Sequence, residues 1–164
     1  MTEKVKRNYL EINSLQDLIE GNKPSEDYSL SLINPINFQL NKFFYKNIGK
    51  KHKWVDRLSW SEEKWINYVS SKNVNSYVLK YKDDLVGFFE LIFHPENSET
   101  EIAYFGILEE YQNKKLGSFL LSEAIKKSFV NNTKRVWVHT CSLDHKNALS
   151  NYISRGMKIF KTEI

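Results

Sequence analysis

The sequence predicts an α/β fold: a central mixed sheet with helices on both faces, in one domain over residues 1–164. Three observations point there. The predicted elements run β, α, α, β, β, β, α, β, α, β, so strands arrive as a run and then alternate with helices. A chain of 164 residues is the size of one ordinary domain. Its 41% hydrophobic and 14% aromatic residues suffice for a sizeable core and argue against disorder.

Each element has a local reason. Residues 5–12 (VKRNYLEI) alternate weakly and read as a strand. Residues 13–34 carry a Lys23-Pro24-Ser25 turn signal and no clear period. Residues 35–48 read as a helix, with Pro35 in its first turn and Gly49 at its end. A second helix is expected over 61–71. Ser59-Trp60-Ser61-Glu62 matches a capping box, and Trp65, Ile66 and Val69 form an apolar stripe. A meander follows: strand 76–81, tight turn 82–84, strand 85–93 and strand 100–108. Leu116, Phe119, Leu120, Ala124 and Ile125 have helical spacing over 116–129. Residues 135–140 form a buried-type strand, 146–155 a helix ended by Gly156, and 157–161 a last strand.

Composition excludes several classes. Nine Gly plus Pro rule out fibrous and low-complexity chains. No stretch approaches the roughly 20 apolar residues of a membrane helix, and no apolar signal segment follows the first residues. With Cys141 alone, no intrachain disulfide and no cysteine-based zinc site can form, and no metal is expected. The expectation is a soluble cytoplasmic protein. Residues 1–100 carry 14 Lys/Arg and 14 Asp/Glu, whereas residues 101–164 carry 10 and 6. The net charge of +4 therefore arises in the C-terminal part, which suits an anionic ligand or simply a solvated surface. The basic residues are scattered and lack a nucleic-acid-binding signature, so no nucleic acid and no membrane partner is expected.

The strongest local signal joins the strand 100–108 to the helix opening near Gly117. A strand, a short loop and a helix start expose unpaired backbone N–H groups, and the helix dipole adds positive character. Lys114 and Lys115 reinforce this candidate phosphate site.

Two motifs here resemble the GNAT superfamily of acetyl-CoA-dependent N-acetyltransferases. That family carries Gln/Arg-x-x-Gly-x-Gly/Ala, and this chain has Gln112-Asn113-Lys114-Lys115-Leu116-Gly117-Ser118, with Lys115 in place of the first glycine. The family also carries Asn-x-x-Ala-x-x-x-Tyr-x-x-x-Gly-Phe. Here His145 and Met157 replace the Asn and Phe around matching Ala148, Tyr152 and Gly156. The resemblance covers residues 76–160. It implies a GNAT-like acyl-CoA N-acyltransferase fold. It implies direct transfer from acetyl-CoA to a primary amine through a ternary complex, without an acyl-enzyme. The pantetheine arm would pair near Ile107 and Leu108. The pyrophosphate would sit on Gln112, Asn113, Lys114, Lys115, Leu116, Gly117 and Ser118, with Asn147 nearby. Tyr152 would protonate the leaving thiolate. Glu101, eleven residues before Gln112 and opening a Glu-Ile pair, matches the family's general-base glutamate. A catalytically silent acyl-CoA sensor on the same fold is the alternative.

Each candidate also has a plainer reading. Glu101 fits an exposed strand end, and Tyr152 fits a helix tyrosine packed on the sheet. Glu90, inside an apolar strand, is the rival base, unless alternation turns it to solvent. The polar run His139–His145 offers a Cys141 nucleophile, a metal site, or a hydrogen-bonded loop with Asp144 or Ser142 capping the last helix; the loop is preferred. Arg57, among Trp54 and Trp60, would hold a substrate carboxylate or pair with Asp56 or Glu62 at the surface. The acceptor is not legible, and the short chain after Gly156 leaves a monomer or a sheet-completing homodimer open.

Overall fold

The computed structural model describes residues 5–164 apart from Asn131 and His145. The strands are β1 (Arg7–Ile12), β2 (Tyr28–Leu32), β3 (Val74–Tyr81), β4 (Asp84–His94), β5 (Glu99–Ile107), β6 (Arg135–Cys141) and β7 (Lys158–Glu163). The helices are α1 (Phe38–Gly49), α2 (Glu62–Val69), α3 (Leu116–Ser128) and α4 (Ala148–Ser154). One mixed sheet has the order β2-β3-β4-β5-β6-β1-β7, antiparallel except between β5 and β6. The α/β expectation holds.

The caps decide where helices begin. Helix α1 starts at Phe38 rather than Pro35, because the Asn37 side chain accepts from the Leu40 N–H. Ser61, not Ser59, caps α2, accepting from the Lys64 N–H at 3.1 Å. Gly156 has φ +105° and lies against the Asp17 carbonyl, where a side chain would collide.

Strand β2 falls in the segment where sequence shows no period. Its YSLSL side chains are mostly exposed on a sheet edge, so no buried face imprints alternation. In β4, Val86 through Leu91 are all buried because helices cover both faces. Phe88 stacks on Phe44 of α1 at 4.9 Å, while Phe89 and Leu91 join Leu120, Leu121 and Ile125 of α3. Strand β1 pairs with β6 on one side and with the fully exposed edge strand β7 on the other.

Candidate active site

The cleft follows from the way β5 meets β6. The two strands pair in parallel only at Glu99↔Arg135, Thr100↔Val136 and Glu101↔Trp137. Just beyond, the register of β5 against β4 passes from Leu91↔Ile102 to Glu90↔Tyr104, so Ala103 is an extra, bulged residue. A bulge bends its strand and increases twist. Past it β5 parts from β6, and a cleft of about 930 Å³ opens between residues 102–107 on one wall and Val138, His139 and Cys141 on the other.

One end of this cleft is the β5–α3 junction. Gln112, Asn113, Lys115, Leu116, Gly117 and Ser118 line it, together with Ile107 and, at the start of α4, Asn147. Leu108 and Lys114 are not part of the wall. Leu108 is buried under α1, and its N–H bonds the Val86 carbonyl. The Ile107 carbonyl accepts from the Gln112 side chain at 3.2 Å. The loop reaches α3 through two left-handed residues, Asn113 (φ 66°) and Lys115 (φ 63°). Lys115 thus adopts the backbone that glycine would take without cost. No side chain caps the first turn of α3. At Gly117 an added Cβ would meet only Asn151 Nδ2 within 4 Å, at 3.5 Å, so the space before the helix start is open. Arg155 also lines the cleft, and its buried Nε has no hydrogen-bond partner among the described residues. Sequence reasoning passed over it although it stands inside the quoted motif, between Tyr152 and Gly156.

Tyr152 is 6% exposed and faces the same cleft. Burial, then the nearby Asp144 carboxylate, pushes its phenol well above its usual pKa, so it stays protonated. The two glutamates expected as bases are elsewhere, and neither lines the cleft. Glu101 accepts from His94 Nε2 at 3.0 Å and occupies the last position of β5 that pairs with β6. Glu90 is wholly buried under α1 and α2. It accepts from Arg57 Nη1 (2.8 Å), Tyr68 OH (2.7 Å) and Asn41 Nδ2 (2.9 Å). Every one of these donors is a structural neighbour, so Glu90 sits in a buried hydrogen-bonded network.

Arg57 accordingly holds neither a substrate carboxylate nor Asp56 or Glu62. Its guanidinium lies 4.3 Å from the ring centroids of Tyr68 and Tyr104 and 4.7 Å from that of Trp60. Burial disfavours the cation, but Glu90 and Tyr68 outweigh it and keep Arg57 firmly charged. Aromatic faces shield a cation that a sequence rule assigns to the surface.

The other end of the cleft is walled by His52, Lys53, Trp54, Val55 and Asp56 from the α1–α2 loop, with Tyr104 of β5 and Arg7 of β1. Trp54 packs edge-on against Tyr104 at 4.9 Å, and His52 Nδ1 donates to the Leu143 carbonyl at 3.1 Å. The run after β6 is a hydrogen-bonded loop, as preferred, but it caps nothing. Asp144 turns back to accept from Thr140 Oγ1 (2.6 Å) and the Cys141 N–H (2.9 Å), while Ser142 bonds the backbone of Lys6. The N-cap position of α4 is Asn147, whose side chain makes no capping bond to the helix. His145 lies outside the described residues. Among those described, no three His, Cys, Asp or Glu side chains gather as a metal site would require.

This architecture is an acyltransferase fold, and comparison with known proteins names it. Residues 38–157 match the model of the acetyltransferase (GNAT) family, and the chain belongs to that family. No curated protein sequence matches it significantly. Solved structures share the fold at low identity. A GCN5-related N-acetyltransferase from Sphaerobacter thermophilus superposes with a TM-score of 0.72 at 14% identity, covering 96% of this chain and 49% of that one. One from Kribbella flavida gives 0.67 at 13%, covering 96% and 55%. The ribosomal-protein-S18-alanine N-acetyltransferase of Escherichia coli gives 0.60 at 15%, covering 79% and 76%. The chain spans about half the length of the first two. No helix among the described residues is long and apolar enough to cross a membrane.

Proposed function

We propose that the protein transfers an acetyl group from acetyl-CoA directly to a primary amine. The observation that carries this is the cleft itself: β5 leaves β6 and runs into an uncapped helix start lined by Gln112, Asn113 and Lys115 through Ser118. The residues present suit acetyl-CoA. The start of α3 offers backbone N–H groups to phosphate, and Arg155 offers a buried donor without a partner. The strand edge freed by the Ala103 bulge supports pairing with an amide-bearing arm. Acetyl-CoA supplies the activated acyl group. The chain binds and orients it, excludes water and moves protons.

Tyr152 is the acid in this reading. The amine nitrogen attacks the thioester carbon, and the carbon–sulfur bond breaks as the Tyr152 hydroxyl protonates the sulfur. A phenol held well above neutral pH always carries the proton it must give. The acceptor enters from the end walled by Trp54, Tyr104 and Asp56. A protein of this kind works in the cytoplasm, where acetyl-CoA and amines meet. The test is thiol release from acetyl-CoA across a panel of small amines, amino acids, aminoglycosides and peptides, paired with thermal melts. A melting rise with acetyl-CoA and thiol release with an amine support the proposal. Binding without release for any amine leaves a sensor instead, and no melting shift at millimolar ligand removes acetyl-CoA altogether.

A further inference from the structure

Neither glutamate lines the cleft, so the proton acceptor is sought among the groups that do. Near neutral pH an alkylamine is almost entirely ammonium, with a pKa of about 10.4, and it must lose a proton before its nitrogen can attack. The cleft wall holds few groups able to take one. Asp144 is occupied by Thr140 and the Cys141 N–H, and Asp56 sits exposed on the outer loop. Lys53, Arg7 and Arg155 are cations. His52, whose Nδ1 donates to the Leu143 carbonyl, stands on the α1–α2 loop and not on the strand that faces β5.

His139 is placed differently. Parallel pairing between β5 and β6 ends at Trp137, and His139 is the next residue of β6 on the same face. Its side chain therefore enters the gap just where the strands part, and it lines the cleft. One side of the ring reaches solvent, and the other rests against Tyr9 of β1, with centroids 5.6 Å apart, which limits its orientation.

We propose that His139 is the general base of the acetyl transfer, accepting the first proton of the substrate ammonium. The proposal rests on the acetyl-CoA reading above. The proton balance closes without a further reactant. His139 takes one proton from the ammonium and passes it to water. The amine lone pair forms the carbon–nitrogen bond. The carbon–sulfur bond breaks, sulfur takes the Tyr152 proton, and the second nitrogen proton restores Tyr152. One proton is released per turnover.

The charges around His139 suit a base. Crowding by protein atoms lowers its pKa from the usual imidazole range, and Arg7 of β1 adds to that. Glu101 of β5, Asp144 of the following loop and Glu163 of β7 act the other way. His52, Lys53 and Asp56 line the same cleft. The net effect keeps the imidazole neutral at pH 7 and able to accept.

The experiment is the pH dependence of kcat for thiol release, from pH 5 to 10, using acetyl-CoA and the best primary amine of the panel. Wild-type kcat should rise through a midpoint below about 6.5 and then flatten. His139→Gln should lose about 10²–10⁴-fold at pH 7, climb steadily towards the pKa of the amine, and keep the melting shift with acetyl-CoA. Glu101→Gln should keep the plateau and move the midpoint slightly down. Arg7→Gln should move it up, because a positive neighbour is removed. Parallel profiles for His139→Gln and wild type overturn the proposal and leave acetyl transfer standing. So does loss of the plateau in Glu101→Gln. Should His139→Gln show no cooperative melt, the Arg7→Gln midpoint decides, and an unmoved midpoint rejects His139. A wild type that gains no stability from acetyl-CoA rejects the cofactor reading, and this proposal with it.

Discussion

Glu90→Gln separates an anchor from a catalyst. The substitution keeps the shape of the side chain and removes its charge at a site with no solvent exposure. The Arg57 guanidinium, 6% exposed and packed among Tyr68, Tyr104 and Trp60, is then left without its counter-ion. Breaking a buried pair by removing one partner costs about 3–5 kcal/mol. The amide also turns a donor towards Arg57, Tyr68 or Asn41, each of which already donates to this position. For a domain of this size 1 kcal/mol moves the melting temperature by about 2–4 °C, so a fall of about 6–20 °C is expected. Most of that penalty belongs to the stranded cation. A double change, Glu90→Leu with Arg57→Met, removes both charges and should recover a good part of the loss.

Two measurements together check this. Thermal melts give the stability of wild type, each single variant and the double variant, and the cycle yields the coupling between the two side chains. Thiol release at 15 °C, below the melt of every variant, gives kcat per folded molecule. The anchor role expects Glu90→Gln to keep kcat within about threefold while losing stability. A variant that melts within 2 °C of wild type but loses more than about 10²-fold in kcat would refute the reasoning and return Glu90 to the chemistry.

The other expectations are briefer. Acetyl-CoA at a hundredfold excess over its Kd should stabilise the protein by about 2.7 kcal/mol, and Gly117→Glu, which puts a carboxylate before the start of α3, should abolish the shift in a thermal melt. Tyr152→Phe should lower kcat by about 10²–10⁴-fold with the acetyl-CoA shift nearly unchanged, as read by thiol release and melts side by side. Because burial keeps the Tyr152 phenol protonated, the wild-type rate should show no fall from this group up to pH 10. Lys115→Gly should be neutral or stabilising by up to about 1 kcal/mol, since φ 63° suits glycine, whereas Lys115→Val should destabilise; equilibrium denaturation compares them.

How much of this was legible in the sequence depends on the range of the interaction that sets each feature. Helix α3 and strands β3 to β6 stand near their expected bounds, because local periodicity and burial on known faces specify them. Motif residues such as Gln112, Gly117 and Tyr152 come to one cleft because a strand–loop–helix unit is itself local. Strand β2 escaped because an edge strand with exposed side chains has no pattern to show. The place of β1 between β6 and β7 escaped because pairing between segments so distant in sequence leaves no mark in either of them.

The two glutamates stand outside the cleft for a related reason. Glu90 and Glu101 lie on the same sheet face as Tyr104, so their spacing along the strands is compatible with a shared site. What removes them is tertiary. Arg57 comes from a loop 33 residues upstream of Glu90 and claims it, and His94 claims Glu101 from the next strand. Glu90 accepts from three donors and has no solvent exposure, so taking a substrate proton there would mean breaking that network first. His139, by contrast, has no sequence signature, since a single histidine in a strand usually means packing. Its candidacy arises only when the Ala103 bulge opens the sheet in front of it. The bulge therefore does two things with one inserted residue. It frees a strand edge beside the β5–α3 junction, and it uncovers the one imidazole on the opposing strand.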